Sequence, residues 1–241
     1  MLKTVAIFGA GPALGLSVAR RFGREGYRVA LVARRQESLD ELAAALPDVE
    51  TATFRADLLD PAQLTAAVTE VKERFGQVDV GVWSPGGLDM PRVDVLDIDP
   101  DELPGQLGLL LLAPIRLASL LLPEMRKRGD GALLFASGTS AIAPVPQLGN
   151  VGIALAALRN YVFGANAALA GEGVYVGIVP IGGLIRNSAA EAAVLNNPAA
   201  FENFDLEALK LTTIDPDAIA EVFWDLNLKR DRVEEIVGNG I

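Results

Sequence analysis

The sequence predicts an α/β fold in which a doubly wound parallel sheet is covered by helices on both faces. Three observations predict it. Short runs that are apolar on both faces alternate with stretches of helical spacing along the chain, the pattern of parallel strands buried beneath crossover helices. A glycine-rich turn directly follows the first of those runs. A length of 241 residues suits one large layered unit, 1–241, better than two domains of ordinary size.

Residues 3–8 are the first β-branched and apolar run, closed by Gly9, and residues 12–25 then carry Leu14, Val18, Ala19 and Phe22 at helical spacing. Strands are expected at 28–33 and 51–55, with helices at 39–46 and 64–75. The alternation continues with a strand at 78–83, a helix over about 100–128, a strand at 132–136, a helix over about 149–170, and strands at 174–179 and 233–237. Crossovers between parallel strands are right-handed, because only that hand lets a twisted strand and a helix pack back onto the sheet. Two loop-like stretches, 84–91 and 181–198, each follow a strand. Ligands of open α/β sheets bind outside the carboxyl ends of strands, so both stretches should border a site, the second within a substrate-loop region at about 181–210.

Composition removes several classes of function. With 51% apolar residues, 24 Gly and 14 Pro, the chain can build a sizeable core with many tight turns. It has no Cys and no His, which removes disulfides, thiolate and imidazole metal sites and every His-based general base, so no metal is expected. A net charge of −10 would repel a phosphate backbone, so no nucleic-acid partner is expected. Residues 1–11 hold one Lys and an apolar run too short for a signal peptide. The apolar run 107–122 is shorter than a membrane span and contains Arg116. These features predict a cytoplasmic protein with no membrane partner. A helix apolar nearly all round is instead expected to be buried on both sides, giving a homodimer or homotetramer through the helices at about 100–128 and 149–170.

The segment Ile7-Phe8-Gly9-Ala10-Gly11-Pro12-Ala13-Leu14-Gly15 joins the first strand to the first helix. That is where a pyrophosphate meets backbone N–H groups and the positive end of a helix dipole, and where a Cβ would hold the phosphates away. At the end of the second strand Ala33 stands where an acid would bind a ribose 2′-hydroxyl, and Arg34 and Arg35 follow it. Arginines at that point accommodate a 2′-phosphate, which favours NADP and leaves NAD as the alternative.

Over nearly its whole length the chain resembles the short-chain dehydrogenase/reductase family. Gly9, Ala13 and Gly15 match the family's Gly-x-x-x-Gly-x-Gly, with Ala13 departing from the middle glycine. Asp57-Leu58 resembles the adenine contact, and Trp83-Ser84-Pro85-Gly86 takes the place of Asn-Asn-Ala-Gly with only the glycine kept. Pro123, Met125 and Pro180 also fall where the family has them. The resemblance implies a Rossmann-type fold and a cofactor held by Gly9, Gly11, Ala13, Leu14, Gly15, Arg34, Arg35, Asp57, Leu58, Ser84 and Gly86.

The same resemblance implies an Asn-Ser-Tyr-Lys set in which Tyr is the acid, Lys lowers its pKa and Ser holds the substrate oxygen. Here those positions hold Leu110, Gly138, Val151 and Leu155. A check needs no alignment. The chain has only Tyr27, Tyr161 and Tyr175, and four residues beyond them stand Leu31, Ala165 and Val179, so no Tyr-x-x-x-Lys exists.

An apolar pocket centre is therefore expected, with Ser84, Ser137, Thr139, Ser140, Gln147, Asn150 and Arg186 at its edge. Ser137, Thr139, Ser140 and Asn150 are the candidate catalytic residues, and Gln147, Val151, Leu155, Gly182 and Arg186 the candidate substrate pocket. Arg159, Asn160 and Tyr161 suit helix packing or a subunit contact, and Glu234-Glu235 reads as solvated surface charge. Three readings follow in order: an atypical NADP-dependent oxidoreductase acting on a small apolar or conjugated substrate; a cyclase, isomerase or dehydratase on the same scaffold; and a catalytically silent partner subunit.

Overall fold

Thr4 through Phe8 are all fully buried because β1 (Thr4–Phe8) runs through the middle of a sheet, with a parallel strand on each side. The computed structural model describes residues 2–86, 91–196 and 212–239. Among these, β2 (Arg28–Ala33), β3 (Thr51–Arg55), β4 (Val80–Trp83), β5 (Gly131–Gly138), β6 (Val174–Gly182) and β9 (Val237–Gly238) complete a parallel sheet in the order β3-β2-β1-β4-β5-β6-β9. Side chains alternate across it. Val5 and Ile7 pack with α1 (Leu14–Arg24), α2 (Gln36–Ala44) and α8 (Pro216–Lys229), whereas Ala6 and Phe8 pack with α3 (Pro61–Phe75), α5 (Ala113–Arg128) and α6 (Gly149–Ala168). The fold is the Rossmann-type arrangement expected of strands apolar on both faces.

Local chemistry sets the helix ends. Asp60 accepts from the amides of Ala62 and Gln63, and Pro61 preorganises the first turn, so α3 starts three residues earlier than its apolar spacing shows. Asp215 and Pro216 start α8 in the same way. Gly129, at φ +69°, ends α5 in the left-handed region.

Three expectations about elements need correction. The long helix over 100–128 is interrupted: α4 (Leu103–Gln106) is one short turn, Gly108–Leu112 is a π turn, and only then does α5 begin. Pro114 explains the break, since it has no amide for the Leu110 carbonyl and the Leu112 amide bonds to the Leu107 carbonyl at 3.1 Å instead. The stretch 181–198 is not merely a loop. It contains β7 (Leu184–Ile185), which pairs with β8 (Thr213–Ile214), and α7 (Ala189–Asn196), while residues 197–210 of the expected substrate region and 87–90 of the earlier loop lie outside the described residues. The last strand lies at Val237–Gly238, with one bridge from Ile178 to Glu234 before it.

By length and composition Gly108–Arg128 could cross a membrane, but Leu117, Leu121 and Met125 are buried against the sheet, as in a core helix.

Of the pair Glu234-Glu235, only Glu234 departs from solvated charge, since the Glu235 side chain is 41% exposed. Glu234 accepts from Nε and Nη2 of Arg159 at 2.5 and 2.9 Å with its side chain only 15% exposed, and Glu235 accepts from Arg232 at 2.7 Å. The Arg159 guanidinium also lies 4.7 Å from the Phe163 ring centroid.

Tyr175 on β6 is buried and its hydroxyl donates to the Arg232 carbonyl at 2.6 Å. Burial pushes its phenol up to about 12. A raised phenol contributes stability that is complete below the unfolded value of 10.0 and is lost as pH climbs through the folded one. Asp60, held down by Gln63 and neighbouring amides, and Asp225, held down by Lys229 and Arg232, act in the opposite sense. Their contribution is present above the ordinary carboxylate value of 3.8 and is lost as pH falls below it. With no His to titrate between them, stability should be level from about pH 5 to 9. Between pH 10 and 12 the parent should lose about 2–3 kcal/mol that Tyr175→Phe does not lose. Urea titrations of both proteins at each pH check this, and identical alkaline slopes would refute it.

Candidate active site

Sheet order reverses direction beside β1, between β2 and β4, and the glycine-rich turn leaves β1 at that switch point. The Gly9 and Ala10 amides both bond to the Val32 carbonyl, at 2.9 and 3.0 Å. Gly9 has φ +88°, and a Cβ on it would stand 2.4 Å from the Pro85 Cα, so only glycine lets this turn lie against the segment after β4. A Cβ on Gly15 would stand 2.9 Å from the Ala10 Cα. Around Gly11 nothing lies within 4 Å of that point. This space opens at the start of α1, where Ala13 offers no side-chain cap and the first turn holds no acid. The leading amides of a helix have no acceptor within it, so this end is ready for an anion.

Arg34 and Arg35 follow β2 and are exposed. Sheet register places Arg55 of β3 opposite Ala33, and its Nε donates to the Arg34 carbonyl at 3.1 Å. Arg55 is a third cation at this edge. Sequence reasoning missed it because its proximity depends on strand register. Asp57 is half-buried; its Oδ1 accepts from the Leu59 amide at 3.0 Å and its own amide donates to Gln63 Oε1 at 3.0 Å. Leu58 beside it is buried. Ser84, whose amide donates to the Phe8 carbonyl at 2.9 Å, has a buried hydroxyl without a partner among the described residues, and Gly86 is exposed two residues on. Around the turn lie open backbone at the start of α1 and guanidinium groups at the far end of β2.

At the carboxyl end of β5 the structure brings Gly138 and Leu155 together. A Cβ on Gly138 would stand 3.3 Å from Leu155 Cδ1 and 3.6 Å from Ser140 Oγ. Val151, one turn earlier on α6, is half-buried, and the π turn carrying Leu110 packs on the same helix.

The polar candidates separate. Asn150 is 1% exposed, donates to the Pro91 carbonyl at 2.8 Å and accepts from the Val93 amide at 3.1 Å. It clamps the segment 91–95 to the start of α6 instead of standing at a pocket edge, and a hydrogen bond from Val95 to Pro146 extends the clamp. Ser137 Oγ is buried without a partner among the described residues. Thr139 turns its methyl to Gly182, and Gly182 is itself sealed: a Cβ there would meet the Asn239 carbonyl at 2.6 Å and Thr139 Cγ2 at 3.0 Å. Gly182 therefore closes against the C-terminal strand rather than lining an open pocket. Gln147 is half-buried in the short turn Pro146–Leu148, and Arg186 is exposed, paired with Asp215 at 3.3 Å. Among the described residues no group of three or more acidic side chains is arranged to hold a metal.

Fold and site define a doubly wound α/β protein with an anion-ready glycine turn and an apolar centre at the carboxyl edge of its sheet. The short chain dehydrogenase family matches residues 3–193, and the chain belongs to that family. It is 27% identical over 235 residues to a Drosophila melanogaster protein named "Dehydrogenase/reductase SDR family protein 7-like", covering 95% of this chain and 71% of that one. Among solved structures it is similar to an actinorhodin polyketide ketoreductase with NADPH, at TM-score 0.87 and 22% identity, covering 99% of this chain and 96% of that one. It is also similar to an NADPH-bound short-chain oxidoreductase from Pseudomonas aeruginosa described as containing an atypical catalytic center, at TM-score 0.82 and 21% identity, covering 98% and 95%.

Proposed function

We propose that this protein is an NADP(H)-dependent oxidoreductase that acts on a small apolar or conjugated substrate without a Tyr/Lys acid. Membership of the short-chain dehydrogenase family supports oxidoreductase chemistry. The backbone at Gly9, Gly11, Ala13, Leu14 and Gly15 would hold the pyrophosphate, Asp57 and Leu58 the adenine, and Arg34, Arg35 and Arg55 the 2′-phosphate. The bound nicotinamide would supply hydride, chemistry that belongs to the cofactor. The observation that carries the restriction on substrate is the contact between Gly138 and Leu155. A Cβ on Gly138 would lie 3.3 Å from Leu155 Cδ1, so at these two positions the chain offers a glycine and a leucine methyl and no side chain that could donate a proton. Such a site suits a substrate that holds its own negative charge by conjugation and takes its proton from water.

The test is calorimetry of NADPH and NADH, followed by absorbance assays across enones, imines and ketones. Tight NADPH binding with turnover of an enone or imine is the expected result. Failure to bind either nucleotide at millimolar concentration would remove the reading.

The same apolar centre favours a second reading, a cyclase, isomerase or dehydratase acting through proximity and orientation, with the nucleotide absent or structural. Substrate turnover with constant cofactor absorbance would select it.

We further propose a homodimer or homotetramer through α5 and α6. Leu112, just before α5, and Ile153 and Phe163 of α6 are apolar and 55%, 42% and 38% exposed. Light scattering at micromolar concentration should report at least a dimer, and a monomer would refute the interface.

A further inference from the structure

We propose that Gln63 is a positioning residue of the nucleotide site: its side chain holds the loop 57–60 in the shape that reads the edge of adenine. The proposal rests on the reading of this site as the place of a nucleotide. Gln63 is the third residue of α3, and Asp60 caps that helix by accepting from the amides of Ala62 and Gln63 at 2.8 and 3.2 Å. In the usual capping box the glutamine at this position reaches back to the amide of the capping residue itself. Here it does not. The Asp60 amide donates to the Asp57 carbonyl at 3.1 Å, and Gln63 Oε1 reaches beyond it to accept from the Asp57 amide at 3.0 Å. The other end of the side chain, Nε2, donates to Asp60 Oδ2 at 2.9 Å. One amide group thus ties the two ends of the loop together, and its acceptor serves the loop instead of the helix.

The loop is held on its other sides as well. The Ala56 amide donates to the Ala33 carbonyl at 2.9 Å, which ties the entry of the loop to the end of β2. Asp57 Oδ1 accepts from the Leu59 amide at 3.0 Å, and Leu59 Cδ2 lies 2.9 Å from the point where a Cβ on Gly108 would stand, in the notch that this glycine leaves at the start of the π turn. Among the described residues neither Asp57 Oδ2, an acceptor, nor the Leu58 amide, a donor, makes a hydrogen bond. Adenine carries an amino donor beside a ring-nitrogen acceptor on one edge, the complement of that pair. Hypoxanthine carries an oxygen and an N–H in the same places and meets the pair with like groups. Discrimination of this kind depends on how the two groups are oriented relative to each other, and Gln63 fixes the backbone at the Asp57 end.

The probes are NADPH and reduced nicotinamide hypoxanthine dinucleotide phosphate, which differ only at that base edge, and binding of both is measured by calorimetry. The parent should prefer NADPH at least about tenfold. Gln63→Leu should lower that preference about 3- to 10-fold by weakening NADPH and sparing the analogue. Gln63→Glu keeps an acceptor for the Asp57 amide and should retain the parental preference. Both variants should stay folded by urea titration, because Asp60 caps α3 through backbone amides. A loss of general stability or of phosphate binding would weaken both nucleotides alike and leave the preference where it was. An unchanged preference in Gln63→Leu, equal losses of preference in the Leu and Glu variants, or no preference in the parent would overturn the proposal. If the parent binds neither nucleotide, the oxidoreductase reading falls and this proposal with it; if NADPH binds and the preference ignores Gln63, only this proposal falls.

Discussion

Gly9→Ala is expected to destabilise the fold by about 3–5 kcal/mol, whereas Gly11→Ala should leave stability within about 1 kcal/mol of the parent and weaken NADPH at least about tenfold. The two glycines sit two residues apart in one turn and serve different physical needs. At Gly9 the backbone lies at φ +88° and a methyl would fall 2.4 Å from the Pro85 Cα and 2.5 Å from the Pro85 nitrogen. Neither atom belongs to a flexible side chain, so the whole segment after β4 would have to move. At Gly11 a methyl meets nothing within 4 Å, and the cost appears only when a pyrophosphate approaches the same space. Urea unfolding and calorimetry on both variants separate these effects. A Gly9→Ala protein as stable as the parent would mean the turn has slack, and undiminished NADPH affinity in Gly11→Ala would place the phosphates elsewhere.

Arg34→Asp should cost NADPH on the order of 2–4 kcal/mol while NADH loses little or gains slightly. The substitution removes a charge-assisted donor and places a carboxylate where the 2′-phosphate would lie. Charge-assisted contacts to phosphate are among the stronger hydrogen bonds, so the swap should be felt more than a simple truncation. Arg55→Ala should lower NADPH affinity in the same direction by less, since Arg34 and Arg35 remain. Calorimetry with both cofactors decides the matter, and equal losses for NADPH and NADH would show that the arginines do not read the 2′-phosphate.

Several features of this protein are local and were legible in the residues themselves. Alternating buried strands and amphipathic helices, the glycine turn after β1 and the absence of any Tyr-x-x-x-Lys depend only on near neighbours in the chain. Pro114 was legible as well, yet its effect was not, because apolar spacing over 100–128 conceals the loss of one amide.

What only the tertiary structure decided are contacts between residues far apart in sequence. Asn150 is a clamp because Pro91 and Val93, 59 and 57 residues away, lie beside it. Glu234 is half-buried and paired with Arg159, 75 residues away. Arg55 joins Arg34 because β2 and β3 pair in one register, and Gly182 is sealed because β9 runs beside β6. Local pattern sets which element a residue joins, through periodicity and steric preference. The packing of elements against one another decides which polar groups are already satisfied.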